Sequence, residues 1–204
     1  MRRLILARHG EAASNVEGIV NGIPPGGSLS AAGREEAAAL GRALAGERID
    51  LGICTRFLRT RETLRLALAG QPSVPREIMA SFDEIEFGSF EGGPLEAYRE
   101  WAWTHEPDDE CPGDGESRVE VAIRIAGALD ELLGREEETI LAVGHALPVR
   151  YVIDAADETF PAARITPLEH AKPYLLDRAR VEAAAETLRA WAEEPEFREP
   201  ADAH

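Results

Sequence analysis

Two apolar runs in this chain end in histidine. Leu4-Ile5-Leu6-Ala7 stops at Arg8-His9-Gly10-Glu11, and Ile140-Leu141-Ala142-Val143 stops at Gly144-His145. Each run is the length of a buried strand. In an open parallel sheet the carboxyl ends of the strands are where ligands bind, so the pattern brings two imidazoles together. Arg8 stands beside the first histidine, and Arg59 follows a third apolar run, Ile49 to Thr55. Guanidinium forks match phosphate oxygens bidentately and stay charged, and a neutral imidazole is a competent nucleophile at phosphorus. Glu84 or a neighbouring carboxyl can protonate a leaving alcohol. The chemistry these residue types fit is phosphoryl transfer.

The elements that must position them read as alternating strands and helices. After the first strand, Gly18 to Ser28 is rich in Gly and Pro and reads as a loop; Ser30 then caps a helix carrying Gly33, Ala37, Leu40 and Leu44. A helix over 56–68 follows the second strand. Phe82 to Phe90 is ambiguous between strand and loop, Pro94 opens a helix with Leu95, Tyr98, Trp101 and Ala102 inward, and Glu106 to Gly115 is an acidic, solvated loop. Ser117 caps a longer helix closed by Gly134. A short helix is expected after Pro148, an edge strand over 169–176, a C-terminal helix over 177–194, and a frayed tail over 195–204. The alternation predicts a three-layer α/β/α sandwich with a mostly parallel sheet.

The chain has 204 residues, 44% of them hydrophobic, which suits one domain spanning 1–204. Its formal net charge of −16 argues against nucleic-acid and anionic-membrane partners. The apolar start breaks at Arg8, short of a signal-peptide core, and no run is long enough to span a bilayer, so a soluble, cytoplasmic protein is expected. Cys54 and Cys111 form no metal-ligand spacing, and no disulfide is expected. His9, His145 and Glu84 would make a zinc-like donor set, but Arg8 and Arg59 in the same pocket would repel a cation. No metal and no cofactor are therefore expected.

The motifs carry a resemblance. Leu6-Ala7-Arg8-His9-Gly10-Glu11, with Asn15 beyond it, resembles the R-H-G-E motif of the histidine phosphatase (phosphoglycerate mutase-like) superfamily. The segment Cys54 to Thr63 is similar to its S-x-L-x-R-A-x-x-T, aligning Arg59 with the second pocket arginine. Phe82 to Gly92 is similar to L-x-E-I-x-F-G-x-W-E-G, aligning Glu84 with the proton donor; Gly115-Glu116-Ser117 matches G-E-S; and Val143-Gly144-His145 resembles V-S-H. The five segments lie in the family's order within residues 3–152. Gly144, Ala146 and Asn21-Gly22 depart from its usual residues.

The resemblance implies a phosphoglycerate mutase-like fold and a metal-independent phosphomonoesterase acting on a small phosphorylated metabolite. His9 would be the nucleophile and Glu84 the general acid and base. Arg8, Arg59 and His145 would hold the phosphoryl oxygens, with Asn15 as a further phosphate-side donor. Arg56 and Arg61 are expected at the rim or in salt bridges. Phe57, Phe90, Tyr98, Trp101 and the Gly-Pro loop are expected to shape specificity. A mutase using the same pocket and a noncatalytic phospholigand-binding domain are the alternatives; the short segment between Gly92 and Glu116 favours hydrolysis over the longer dedicated mutases. The substrate and the oligomeric state, homo-oligomer included, are open.

Overall fold

The computed structural model describes residues 1–166 and 168–198. Five strands form one sheet: β1 (Arg3–Arg8), β2 (Leu51–Cys54), β3 (Arg76–Ile78), β4 (Thr139–Gly144) and β5 (Pro173–Asp177), in the order β3-β2-β4-β1-β5. All neighbours are parallel except the edge strand β5, which runs antiparallel to β1. The helices are α1 (Ala13–Glu17), α2 (Ala31–Ala43), α3 (Leu58–Ala67), α4 (Leu95–Ala102), α5 (Arg118–Leu133), α6 (Ala146–Ala155) and α7 (Arg178–Glu193).

Alternation along the buried strands divides the core. Leu4 and Leu6 of β1, with Ile140 and Ala142 of β4, face α5, α6 and α7, where Ile125, Leu129, Val152, Leu188 and Trp191 pack. Ile5, Ala7, Leu141 and Val143 face the other way, onto Leu40 of α2 and Leu64 and Ala67 of α3. A strand buried on both faces has to be apolar throughout, which is why both histidine-bearing runs lack the polar alternation of a half-exposed strand. The result is the expected three-layer sandwich.

Several boundaries differ from expectation. Phe82 to Phe90 contains no strand; it lies between two 3-10 turns, Ala80–Phe82 and Gly88–Phe90, with Phe82, Ile85 and Phe87 buried. That spacing of apolar residues mimics alternation without sheet pairing. The helix expected after Pro148 begins earlier, at Ala146, because proline is tolerated in a first turn. The short α1 and the edge strand β3, exposed at all three residues, lacked a periodic apolar signal. β5 begins only at Pro173, since residues 168–171 are used at the strand ends described below. Of the tail expected to fray, 199–204 lie outside the described residues. Residues 195–198 are ordered: Phe197 packs on Trp191, and the Arg198 N–H donates to the Pro161 carbonyl.

Candidate active site

The pairing of β1 with β4 sets the site. Arg8 lies opposite Gly144, and the His9 N–H donates to the Gly144 carbonyl at 3.0 Å. The two histidines therefore leave adjacent strands side by side, their rings 5.3 Å apart. Arg59 comes from the first turn of α3, the helix that follows the neighbouring strand β2. All three side chains are buried.

Hydrogen bonds fix the protons. His9 Nδ1–H donates to the Gly10 carbonyl at 2.7 Å, so its Nε2 carries the lone pair, and Arg59 Nε–H donates to that nitrogen at 3.2 Å. Arg59 Nη2 donates to His145 Nδ1 at 3.2 Å, which puts the His145 proton on Nε2, where Thr55 Oγ1 accepts it at 2.9 Å. Thr55 in turn bonds Thr60 Oγ1, which donates to the Phe57 carbonyl. Burial, reinforced by Arg59, drives both imidazoles well below the ordinary histidine range. They are neutral at neutral pH. Burial also lowers Arg59, to about 10, against the pull of Glu84, so the guanidinium stays charged.

Arg59 is held from its other edge by Asn21, whose side-chain oxygen and carbonyl accept from Nη1 and Nη2 at 3.0 and 2.9 Å, and it lies over the Phe57 ring. Gly26, with φ +63°, lets the loop close on this arrangement, since a Cβ there would meet Arg59, Asn21 and Phe57. Arg8 Nη1 donates to the Leu168 carbonyl, and its buried Nε has no partner among the described residues. An unpaired buried donor on a cation suits an oxyanion. Thr63 takes the Gly10 N–H and donates to the Arg59 carbonyl, tying the loop after His9 to α3.

Glu84 lies on the loop between β3 and α4. Burial raises its carboxyl above the usual carboxylate range, with Arg59 and the Ile85 N–H opposing. Its backbone is clamped from α5: Arg124 donates to the carbonyls of Ser81, Asp83 and Glu84 while pairing with Glu116, and Ser117 closes a capping box with Glu120. The Gly115-Glu116-Ser117 motif thus holds the Glu84 loop through Arg124. Arg56 pairs with Asp83, the salt-bridging alternative expected for it.

Arg8, His9, Asn15, Arg59 and Glu84 line one cavity of about 320 Å³. Asn15 uses its side-chain oxygen to accept the Ala12 N–H, leaving its amide NH₂ as a donor. His145 does not line the cavity; it reaches it through Arg59. The rest of the wall is mostly apolar, with Ile19, Val20, Ile85, Phe87, Leu95, Tyr98, Trp103, Leu147, Ile165 and Leu168. Of the expected specificity ring, Tyr98 and the Gly-Pro loop, through Ile19, Val20 and Asn21, are there. Phe57 is fully buried against His145, and Phe90 and Trp101 pack on each other behind the wall.

Sequence reasoning missed Thr55, Thr60, Thr63, Asn21 and His170. His170 Nδ1–H donates to the His9 carbonyl at 2.9 Å, and the Ala171 N–H donates to the Arg8 carbonyl. The three threonines, polar on an otherwise buried helix entrance, were the readable signal; nothing in the sequence around His170 marked it. Among the described residues, no three His, Cys, Asp or Glu side chains converge as a metal site would require, and no helix is long and apolar enough to cross a membrane.

A strand-end histidine pair bridged by arginine defines the class of protein, and comparison gives the family. The model of the histidine phosphatase superfamily (branch 1) matches residues 4–194, and the chain belongs to that family. It is 31% identical to a 2,3-bisphosphoglycerate-dependent phosphoglycerate mutase of Methylocella silvestris, covering 78% of this chain and 84% of that one. It is 30% identical to an adenosylcobalamin/alpha-ribazole phosphatase of Salmonella typhimurium, covering 80% and 83%. The crystal structure of a putative alpha-ribazole-5'-P phosphatase from Escherichia coli superimposes with a TM-score of 0.75 at 26% identity, over 86% of this chain and 90% of that one.

Proposed function

We propose that the protein is a metal-independent phosphomonoesterase that works through a phosphohistidine on a small phosphorylated metabolite. The observation that carries this reading is the unprotonated His9 Nε2, held neutral by burial and facing two arginines on a cavity that also presents Glu84. In the first step the His9 Nε2 lone pair forms a bond to phosphorus as the ester P–O bond breaks. The departing oxygen takes the proton of the Glu84 carboxyl, which burial keeps available. Water then attacks the phosphohistidine, the N–P bond breaks, and the water proton returns to Glu84.

Arg59 shifts its Nε–H from His9 to a phosphoryl oxygen, and Arg8 supplies its unpartnered Nε–H. Asn15 adds its amide. His145 orients Arg59, whose Nη2 donates to its Nδ1. Apart from the Arg59 Nε–H, which turns from His9, these donors are in place before the phosphoryl group arrives and stabilise its transition-state charge. Two guanidiniums around one carboxylate are a donor set for an oxyanion rather than a cation.

The mutase reading has a specific observation behind it: the Methylocella relative and this chain cover similar shares of each other, so a mutase of this family can be as short as this chain. Length between Gly92 and Glu116 therefore does not separate the two. Hydrolysis is favoured by the phosphatase relatives and by the structural neighbour at 26% identity. Phosphate release from a panel of phosphomonoesters, with EDTA present, is the test. Release that withstands EDTA and falls on the order of a thousandfold or more in His9→Ala is expected; phosphoglycerate isomerisation without release would make the protein a mutase.

A further inference from the structure

Arg118, the first residue of α5, is only 5% exposed and lines the same cavity, yet it makes no hydrogen bond to Arg8, His9, Arg59 or Glu84. Its Nε donates to the Tyr151 hydroxyl at 2.6 Å and its Nη2 to the Ala162 carbonyl at 3.2 Å, and its guanidinium lies near the faces of Tyr151 and Phe197. All of these partners are neutral. No carboxylate pairs with it among the described residues; Asp154, one turn beyond Tyr151, is taken by Arg150 and Arg198. Two of the five guanidinium N–H groups are thus used.

A cation buried without a counter-charge is costly, and the amino end of a helix, already positive, makes the position worse. Arg124 on the same helix shows the contrast, since it is clamped by Glu116. Beside Arg118 is a second unfulfilled group. The Tyr98 hydroxyl is buried beside the guanidinium and makes no hydrogen bond of ordinary geometry among the described residues. A cation and a hydroxyl thus sit side by side, short of an acceptor, on residues that both line the cavity.

We propose that Arg118 and Tyr98 form a second oxyanion subsite, which receives a carboxylate or second phosphate on the alcohol portion of the substrate. The proposal rests on the phosphatase reading for the placement of the scissile phosphate at His9. The substrate is then a phosphomonoester with an anion at its other end, spanned by an apolar wall from Ile85 to Leu147.

The test is calorimetric binding of alkyl phosphonates to the full chain, each with an ω-carboxylate compared with its primary amide over a series of tail lengths. At the length that spans the cavity, the acid binds wild type at least about tenfold more tightly than the amide, as expected for a charged hydrogen bond. Arg118→Met abolishes that ratio and Tyr98→Phe reduces it. An α,ω-bisphosphonate binding more tightly still supports the subsite and identifies the second group as phosphate. No preference at any length in wild type, a measurement independent of how the variants fold, overturns the proposal, as does a full preference in Arg118→Met. Should the preference hold while the matching phosphate esters release no phosphate, the subsite stands and the hydrolase reading falls.

Discussion

The His145 proton is fixed from both sides: Arg59 donates to Nδ1, and Nε2–H donates to Thr55, Thr55 to Thr60, and Thr60 to the Phe57 carbonyl. Thr55→Val keeps the shape and removes the acceptor. Arg59 still holds the His145 proton on Nε2, where it now has no acceptor. A stability loss of about 1–3 kcal/mol is expected from the orphaned donor, together with a fall in kcat larger than any rise in KM, read by chemical denaturation and steady-state kinetics. Glu84 offers a test through pH. As the proposed general acid it must be protonated to act on an ester, and burial raises its pKa, so kcat/KM for an alkyl phosphate should fall as pH rises through that value. An activated aryl phosphate, whose leaving group needs no proton, lacks that limb, and Glu84→Gln should injure the alkyl ester far more. Coincident profiles for the two esters would assign the acid elsewhere. His9, Arg8 and Arg59 were legible because strand-end position and charge are written in local sequence. Thr55 and His170 were not, because their roles exist only once residues 90 and 161 positions apart meet.

At the scale of elements, the site depends on how closely α2 approaches the loop that follows β1. Gly33 lies in the first turn of α2, and a Cβ there would overlap the Glu11 carbonyl; Gly10 faces Gly33 in the same way. The Gly10 carbonyl is the acceptor that fixes the His9 tautomer. Gly33→Ala therefore should cost about 1–3 kcal/mol through overpacking and, by moving that loop, lower kcat. Unchanged turnover in a destabilised variant would show that the loop tolerates the shift. The helix itself was readable from Ser30 and the Ala37–Leu40 face, but Gly33 looked like one more small residue on that face. The close approach is tertiary, as is the pairing that leaves β3 with three residues at an exposed edge. What periodicity reports is a buried face, so elements that bury little, such as α1 and β3, fall below it.

The whole molecule holds a positive pocket inside a strongly negative chain, with 38 acidic against 22 basic side chains. Acidification bears differently on those two parts. Exposed carboxylates lose their mutual repulsion as they protonate, whereas His9 and His145 are buried in neutral form with Arg59 beside them. Their folded pKa values are depressed, so their contribution to stability is complete above the unfolded value, about 6.5. As pH falls below that value the unfolded chain binds protons that the folded chain refuses, and the contribution drains away until the folded pKa is reached. Comparing wild type with His145→Asn removes the carboxylate background common to both. Below about pH 6.5 the unfolding free energy of wild type should fall more steeply than that of the variant, by a difference approaching about 1.4 kcal/mol per pH unit. Parallel curves would mean that His145 protonates normally in the folded protein. Saturating inorganic phosphate supplies the test of sign: an anion held by Arg59 offsets the guanidinium charge that reinforces burial in depressing the His145 pKa, so the excess slope of wild type should shrink when phosphate is bound and return when it is removed.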